Sequence, residues 1–134
     1  MFSHYLMFDG CCAEALTAYA DAFGGTITEL MRYGDVPDPG FAVAADQPHL
    51  VLHATLAWDG STLMASDSTG HTTPGDTMYV SVAADEAAVR RAWDALSAGG
   101  TVYLDLQPTF FAAAHGSLRD RFGVNWMFTA VQGQ

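Results

Sequence analysis

An internal repeat constrains this chain more than any other feature. "GGTI" at 24–27 recurs as "GGTV" at 99–102. Each closes a segment of helical apolar spacing, and each of those segments follows a strand-like run. In the first half, "SHYLMF" at 3–8 reads as a strand, and Asp9 or Gly10 is placed to cap the helix that follows. That helix carries Ala15, Leu16, Tyr19, Ala22 and Phe23, and Gly24-Gly25 ends it. Strands follow at 26–33, 49–58 and 62–66, with Asp59-Gly60 as a hairpin turn between the last two. In the second half, strands read at 77–83, 101–106, 109–114 and 124–131. A helix capped by Asp85 lies after the first of them, with Val89, Ala92, Trp93 and Leu96 at helical spacing.

Each half therefore reads β-α-β-β-β. Repeated units of this kind stack because neither buries its faces alone. The expectation is one α+β domain over 1–134, with repeat one at about 1–70 and repeat two at about 71–134. Two curved four-stranded sheets would each be covered by a helix on the outer side, and their concave sides would form a cavity. The Gly/Pro/Asp-rich loops at 34–48 and 67–76 are natural lids.

Composition narrows the function classes. With five arginines, no lysine and a net charge of −10, the surface repels nucleic acid and anionic lipid. No apolar run reaches membrane-spanning length, and "MFSHYLMFDG" lacks the charged start of a signal peptide, so a cytoplasmic location is expected. Cys11 and Cys12 are adjacent, which disfavours a disulfide, and they read as reduced thiols.

Strand alternation singles out one histidine. In "HLVLHATLAW" at 49–58, Leu50, Leu52, Ala54, Leu56 and Trp58 form an apolar face suited to lie under a helix. His53 falls on the other face with Val51, Thr55 and Ala57. His4 shares a face with Leu6 and Phe8. His71 reads as solvated and His115 as a surface residue at a strand end. Asp67 reads as approaching the pocket, and Asp120 as part of a structural turn or ion pair.

The duplication resembles the vicinal oxygen chelate superfamily, which includes glyoxalase I, extradiol dioxygenases and bleomycin-resistance proteins. Within it, "YLMFDGCCAEALTAYADAFGG", "LHATLAWDGSTLMASD" and "HGSLRDRFGVNWMF" resemble the signatures of the PhnB-like branch. That branch has carried a demethylubiquinone methyltransferase label, but the sequence holds no nucleotide- or methyl-donor-binding motif. The resemblance implies a divalent metal ion held by His, Glu or Gln on concave strand faces, chelating neighbouring substrate oxygens. The four ligand positions fall on His4, His53, Met78 and Met127. Two histidines and two methionines are not a hard-metal set, and methionine readily fills space that a lost metal leaves.

Three expectations follow. The first is a homodimeric small-molecule binder whose pocket is lined by His4, His53, Met78 and Met127, without a complete metal site. The second is a metal-dependent lyase, isomerase or dioxygenase with His4 and His53 as ligands. The third is a structural or regulatory dimer.

Overall fold

The computed structural model describes residues 1–36, 38, 40 and 47–131. Most of the predicted loop at 34–48 therefore lies outside the described residues. The chain divides at Thr73–Pro74 into two compact units.

The first unit runs β1 (Tyr5–Phe8), α1 (Cys12–Phe23), β2 (Thr26–Arg32), β3 (Val51–Trp58) and β4 (Ser61–Asp67). Its sheet has the order β1-β4-β3-β2, with β1 parallel to β4 and the other pairs antiparallel. The second unit runs β5 (Val80–Ala84), α2 (Glu86–Ser97), β6 (Thr101–Gln107), β7 (Ala114–Arg119) and β8 (Asn125–Ala130). Its order, β5-β8-β7-β6, repeats the first with the same parallel and antiparallel pairs. The α+β class and the βαβββ duplication stand as expected.

The apolar spacing explains both helices. In α1 the side chains of Cys12, Ala15, Leu16, Tyr19, Ala22 and Phe23 are buried, a single stripe at three- and four-residue steps. Gly24 ends the helix in the left-handed conformation at φ 75°, where a side chain would be strained. In α2 the buried stripe is Val89, Ala92 and Leu96, and the Asp85 carboxylate accepts the Ala88 N–H at 2.8 Å. Each helix covers one face of its own sheet and leaves the other open. Asp59 and Gly60 take φ values of 50° and 76°, the left-handed pair that a two-residue hairpin turn requires.

Two expectations are corrected. Neither Asp9 nor Gly10 caps α1. Cys11 occupies the cap position without a side-chain capping bond, and the Cys12 N–H instead donates to Asp67 at the end of β4. The seventh strand lies at Ala114–Arg119 and not at 109–114. The apolar run at 109–114 imitates a strand, but the alternation that packs under α2 is Ala114, Gly116 and Leu118, one segment later.

Neither cysteine forms a disulfide, and Cys12 is fully buried. Burial, reinforced by the nearby Asp67 carboxylate, pushes the Cys12 thiol from 9.0 up to about 12. The folded state thus holds this proton where the unfolded chain releases it. Stability should fall as pH rises from 9.0 towards about 12, by up to about 1.4 kcal/mol per pH unit. Cys12→Ala should flatten that fall in urea titrations at pH 8 and 10. In the native protein at pH 8, a disulfide reagent should leave Cys12 unmodified until denaturant is added.

Candidate functional site

The strand register sorts the residues of the first sheet by face. The pairings Tyr5↔Met64, Thr55↔Met64, Glu29↔Thr55 and Met31↔His53 place these side chains together on the face away from α1. The opposite set, with Phe8, Ala54, Leu56 and Ala65, is buried under the helix. Trp58 also belongs to that side, its ring 4.9 Å from Phe23. His53 thus occupies the face that the alternation of its strand predicts.

His53 is engaged on both ring nitrogens. Tyr5 Oη lies 3.0 Å from Nδ1, Thr55 Oγ1 lies 3.3 Å from Nε2, and a Glu29 carboxylate oxygen lies 3.8 Å from Nε2. A carboxylate on the Nε2 side favours a proton there, which leaves Nδ1 to accept from the Tyr5 hydroxyl. Phenol and imidazole are then hydrogen-bonded, with the Glu29 carboxylate 3.8 Å beyond the ring. Met7 and Met31 supply apolar surface on the same face, and the Ser66 hydroxyl donates to the Met7 sulfur at 3.3 Å. The arrangement offers hydrogen-bond donors and acceptors in a partly apolar setting, suited to orienting a small polar organic ligand.

His4 is not part of this cluster. It is exposed just before β1, and its carbonyl accepts the Met64 N–H. The alternate residue, Tyr5, is the one that reaches His53. Met78 is exposed and lies two residues before β5, and its carbonyl accepts from Asn125. Met127 sits on the open face of the second sheet, paired with Ser81 and Ser117. Among the described residues, no three His, Cys, Asp or Glu side chains group as metal ligands. With both His53 nitrogens already bonded, the residues present do not fit a divalent ion held by His4 and His53. Asp67 faces α1 and not the open face of its sheet. His71 is exposed, 2.8 Å from Asp9.

The duplication contains a second histidine that the sequence reading places at the surface. Superposing the two Gly-Gly-Thr segments puts Thr55 on Ser117, Leu56 on Leu118 and His53 on His115. The strand pairs agree: Ile27↔Leu56 and Glu29↔Thr55 in one unit match Val102↔Leu118 and Leu104↔Ser117 in the other. Both sheets carry a register shift at the same place, between Ile27 and Glu29 and between Val102 and Leu104. The signal is in the sequence as "HATL" and "HGSL". The misplaced seventh strand hides it. His115 Nδ1 lies 3.1 Å from Thr129 Oγ1, and its ring meets Phe111 edge-on at 5.0 Å. Each unit thus presents a histidine bonded to a hydroxyl on its open face.

The family described as 3-demethylubiquinone-9 3-methyltransferase matches residues 1–129. The chain belongs to that family. Protein YjdN of Escherichia coli strain K12 is similar to it, at 29% identity over 147 residues, spanning 98% of this chain and 96% of YjdN. The crystal structure of protein PA1353 from Pseudomonas aeruginosa is 36% identical, covers 99% of this chain and 98% of its own, and superposes with a TM-score of 0.87. A putative 3-demethylubiquinone-9 3-methyltransferase, PhnB protein, from Bacillus cereus is 25% identical over 97% and 98% of the chains, with a TM-score of 0.78. The fosfomycin resistance protein FosX from Listeria monocytogenes, at 9% identity over 98% of this chain and 93% of its own, has a TM-score of 0.62 and shares the fold alone. The PhnB-like membership and the glyoxalase/bleomycin-resistance-like fold that the motifs imply are therefore correct. No helix of this family member, among the described residues, is long and apolar enough to cross a membrane.

Proposed function

We propose that this PhnB-family protein binds a small organic molecule on the open faces of its sheets, without requiring a complete metal site. The observation that carries this reading is the Tyr5–His53–Thr55 cluster with Glu29 beside it, set on a face that the helix leaves uncovered. Such a cluster serves hydrogen bonding to ligand oxygens better than it serves metal ligation, because its imidazole nitrogens already hold hydroxyl partners. In the first unit the ligand-facing residues of this reading are His53 and Tyr5, which takes the place assigned to His4, and in the second unit Met127 lies on the open face of its own sheet. Methyl transfer, as the family description has it, gains no support from any nucleotide-binding motif in the sequence. Two cysteines outside any disulfide suit a reducing, cytoplasmic setting. A homodimer, as the superfamily resemblance implies, is part of the proposal, and a monomer in sedimentation at micromolar concentration would count against it.

The test is native mass spectrometry of untagged protein, followed by ligand binding in variants. A co-purified small molecule should be retained by the native chain and lost, or weakened about tenfold or more, in His53→Ala and Tyr5→Phe. Stoichiometric metal that disappears in His53→Ala would overturn the metal-free reading.

A further inference from the structure

The second unit contains a guanidinium held in place without a carboxylate. The chain has fifteen acidic residues against five arginines, yet among the described residues only Arg90 pairs with a carboxylate, Glu86 at 2.9 Å. Arg119 is set apart by the neutral acceptors that hold its guanidinium. Its Nε donates to Asn125 Oδ1 at 3.3 Å and one terminal nitrogen donates to the Gly75 carbonyl at 2.9 Å. Both acceptors are neutral, and no ion pair to Arg119 occurs among the described residues. A guanidinium has five N–H donors in a planar fork and stays charged at any physiological pH, so most of its donors remain available.

The support under Arg119 is built, not incidental. Asn125 is 5% exposed, and every bonding position of its amide is used. Its Nδ2 donates to the carbonyls of Gly75 at 2.8 Å and Met78 at 3.1 Å, while its Oδ1 accepts from the Tyr103 hydroxyl at 2.9 Å and from Arg119. Four bonds fix which way the amide points, and the amide in turn fixes the guanidinium and the phenol. The pairing Arg119↔Asn125 puts both on the open face of the second sheet, in line with Ser117 and His115 on β7. Tyr79 meets Tyr103 edge-on at 6.1 Å and adds an aromatic wall. A positioned charge with unspent donors, next to aromatic surface, has the chemistry of a preorganised anion anchor.

We propose that Arg119, positioned by Asn125 and Tyr103, anchors the oxyanion of a small ligand, a carboxylate or phosphate-type group carried on a planar or apolar body. The site draws only on second-unit residues and uses none of the His53 cluster. It deepens the small-molecule reading by naming a ligand class. Loss of this site with a His53-dependent ligand retained would count against the anchor alone.

The experiment is amide NMR of the full chain, titrated separately with benzoate, inorganic phosphate and neutral benzamide at constant ionic strength. Saturable shifts are expected around Gly75, Met78, Tyr103, Arg119 and Asn125 with one or both anions, and none with benzamide. The anion that saturates distinguishes a carboxylate from a phosphate-type partner. Arg119→Gln should weaken anion binding about tenfold or more, and Arg119→Lys should weaken it less, because it keeps the charge and loses the fork. No saturable shift with either anion, equal shifts with benzamide, or unchanged affinity in Arg119→Gln would each overturn the proposal and leave Arg119 as a strut for the Gly75 carbonyl. If Arg119→Gln does not give a folded spectrum, Arg119→Lys decides, and undiminished binding in it overturns the fork-based anchor.

Discussion

Asp67→Ala should destabilise the protein by about 3–5 kcal/mol in urea unfolding, a large part of the stability of a chain this size. The residue is 3% exposed. One carboxylate oxygen accepts the Cys12 N–H at 2.9 Å and the other accepts the Val51 N–H at 2.9 Å. A single side chain on β4 therefore ties the start of α1 to the start of β3. Its charge also faces the positive end of the α1 dipole, in a helix whose own cap residue makes no side-chain capping bond. Truncation removes two charge-assisted bonds and leaves two buried donors without a partner, which is the costly kind of loss. Asp67→Asn separates the contributions. It keeps one acceptor and sets an amide N–H against a backbone N–H, so a loss of about 2–3 kcal/mol is expected. A loss below about 1 kcal/mol for Asp67→Ala would show that water or a neighbouring group replaces the carboxylate.

Much of this architecture is legible without coordinates, and the reasons are local. Helical spacing in α1 and α2, the Asp85 cap, the Asp59-Gly60 turn and the two Gly-Gly-Thr segments each report on a few adjacent residues. The facing of His53 is legible for the same reason, since alternation along one strand depends only on that strand. Asp67 is different. It reads as a pocket residue because it ends a strand, yet the pairing Phe8↔Asp67 turns it towards α1. The first-strand partner of His53 is misjudged by one residue for a similar reason. The register Tyr5↔Met64, set between strands fifty-nine positions apart, decides that Tyr5 and not His4 shares its face. His115 is hidden by a competing local signal, the apolar "TFFAAA" at 109–114, which outweighs the alternation immediately after it. Arg119 and Asn125 leave no local signature at all, because their meaning lies in bonds to the carbonyls of Gly75 and Met78. Residues whose role is read along one strand are visible in sequence, and residues whose role is made between strands are not.

The same contrast gives the second large effect, at the β7–β8 turn. Asp120 is 3% exposed and accepts three bonds. Its Oδ1 takes the N–H groups of Phe122 at 2.8 Å and Val124 at 3.0 Å, and its Oδ2 takes the indole N–H of Trp126 at 2.8 Å. The "RDRFG" segment reads in sequence as a turn, and the structure adds that this carboxylate also anchors a fully buried tryptophan. Asp120→Ala should therefore cost about 3–5 kcal/mol, through loss of the turn and an orphaned indole N–H in the core beneath α2. Asp120→Asn should keep the turn by aiming its carbonyl at the two backbone donors, which leaves its amide facing the indole N–H, donor against donor. Replacing Trp126 by Phe removes that conflict, so the two changes together should cost less than the sum of their separate losses by about 1 kcal/mol or more. Strict additivity in the double-mutant cycle would show that the indole bond contributes nothing. It would move the whole effect of Asp120 into the two backbone bonds of the turn.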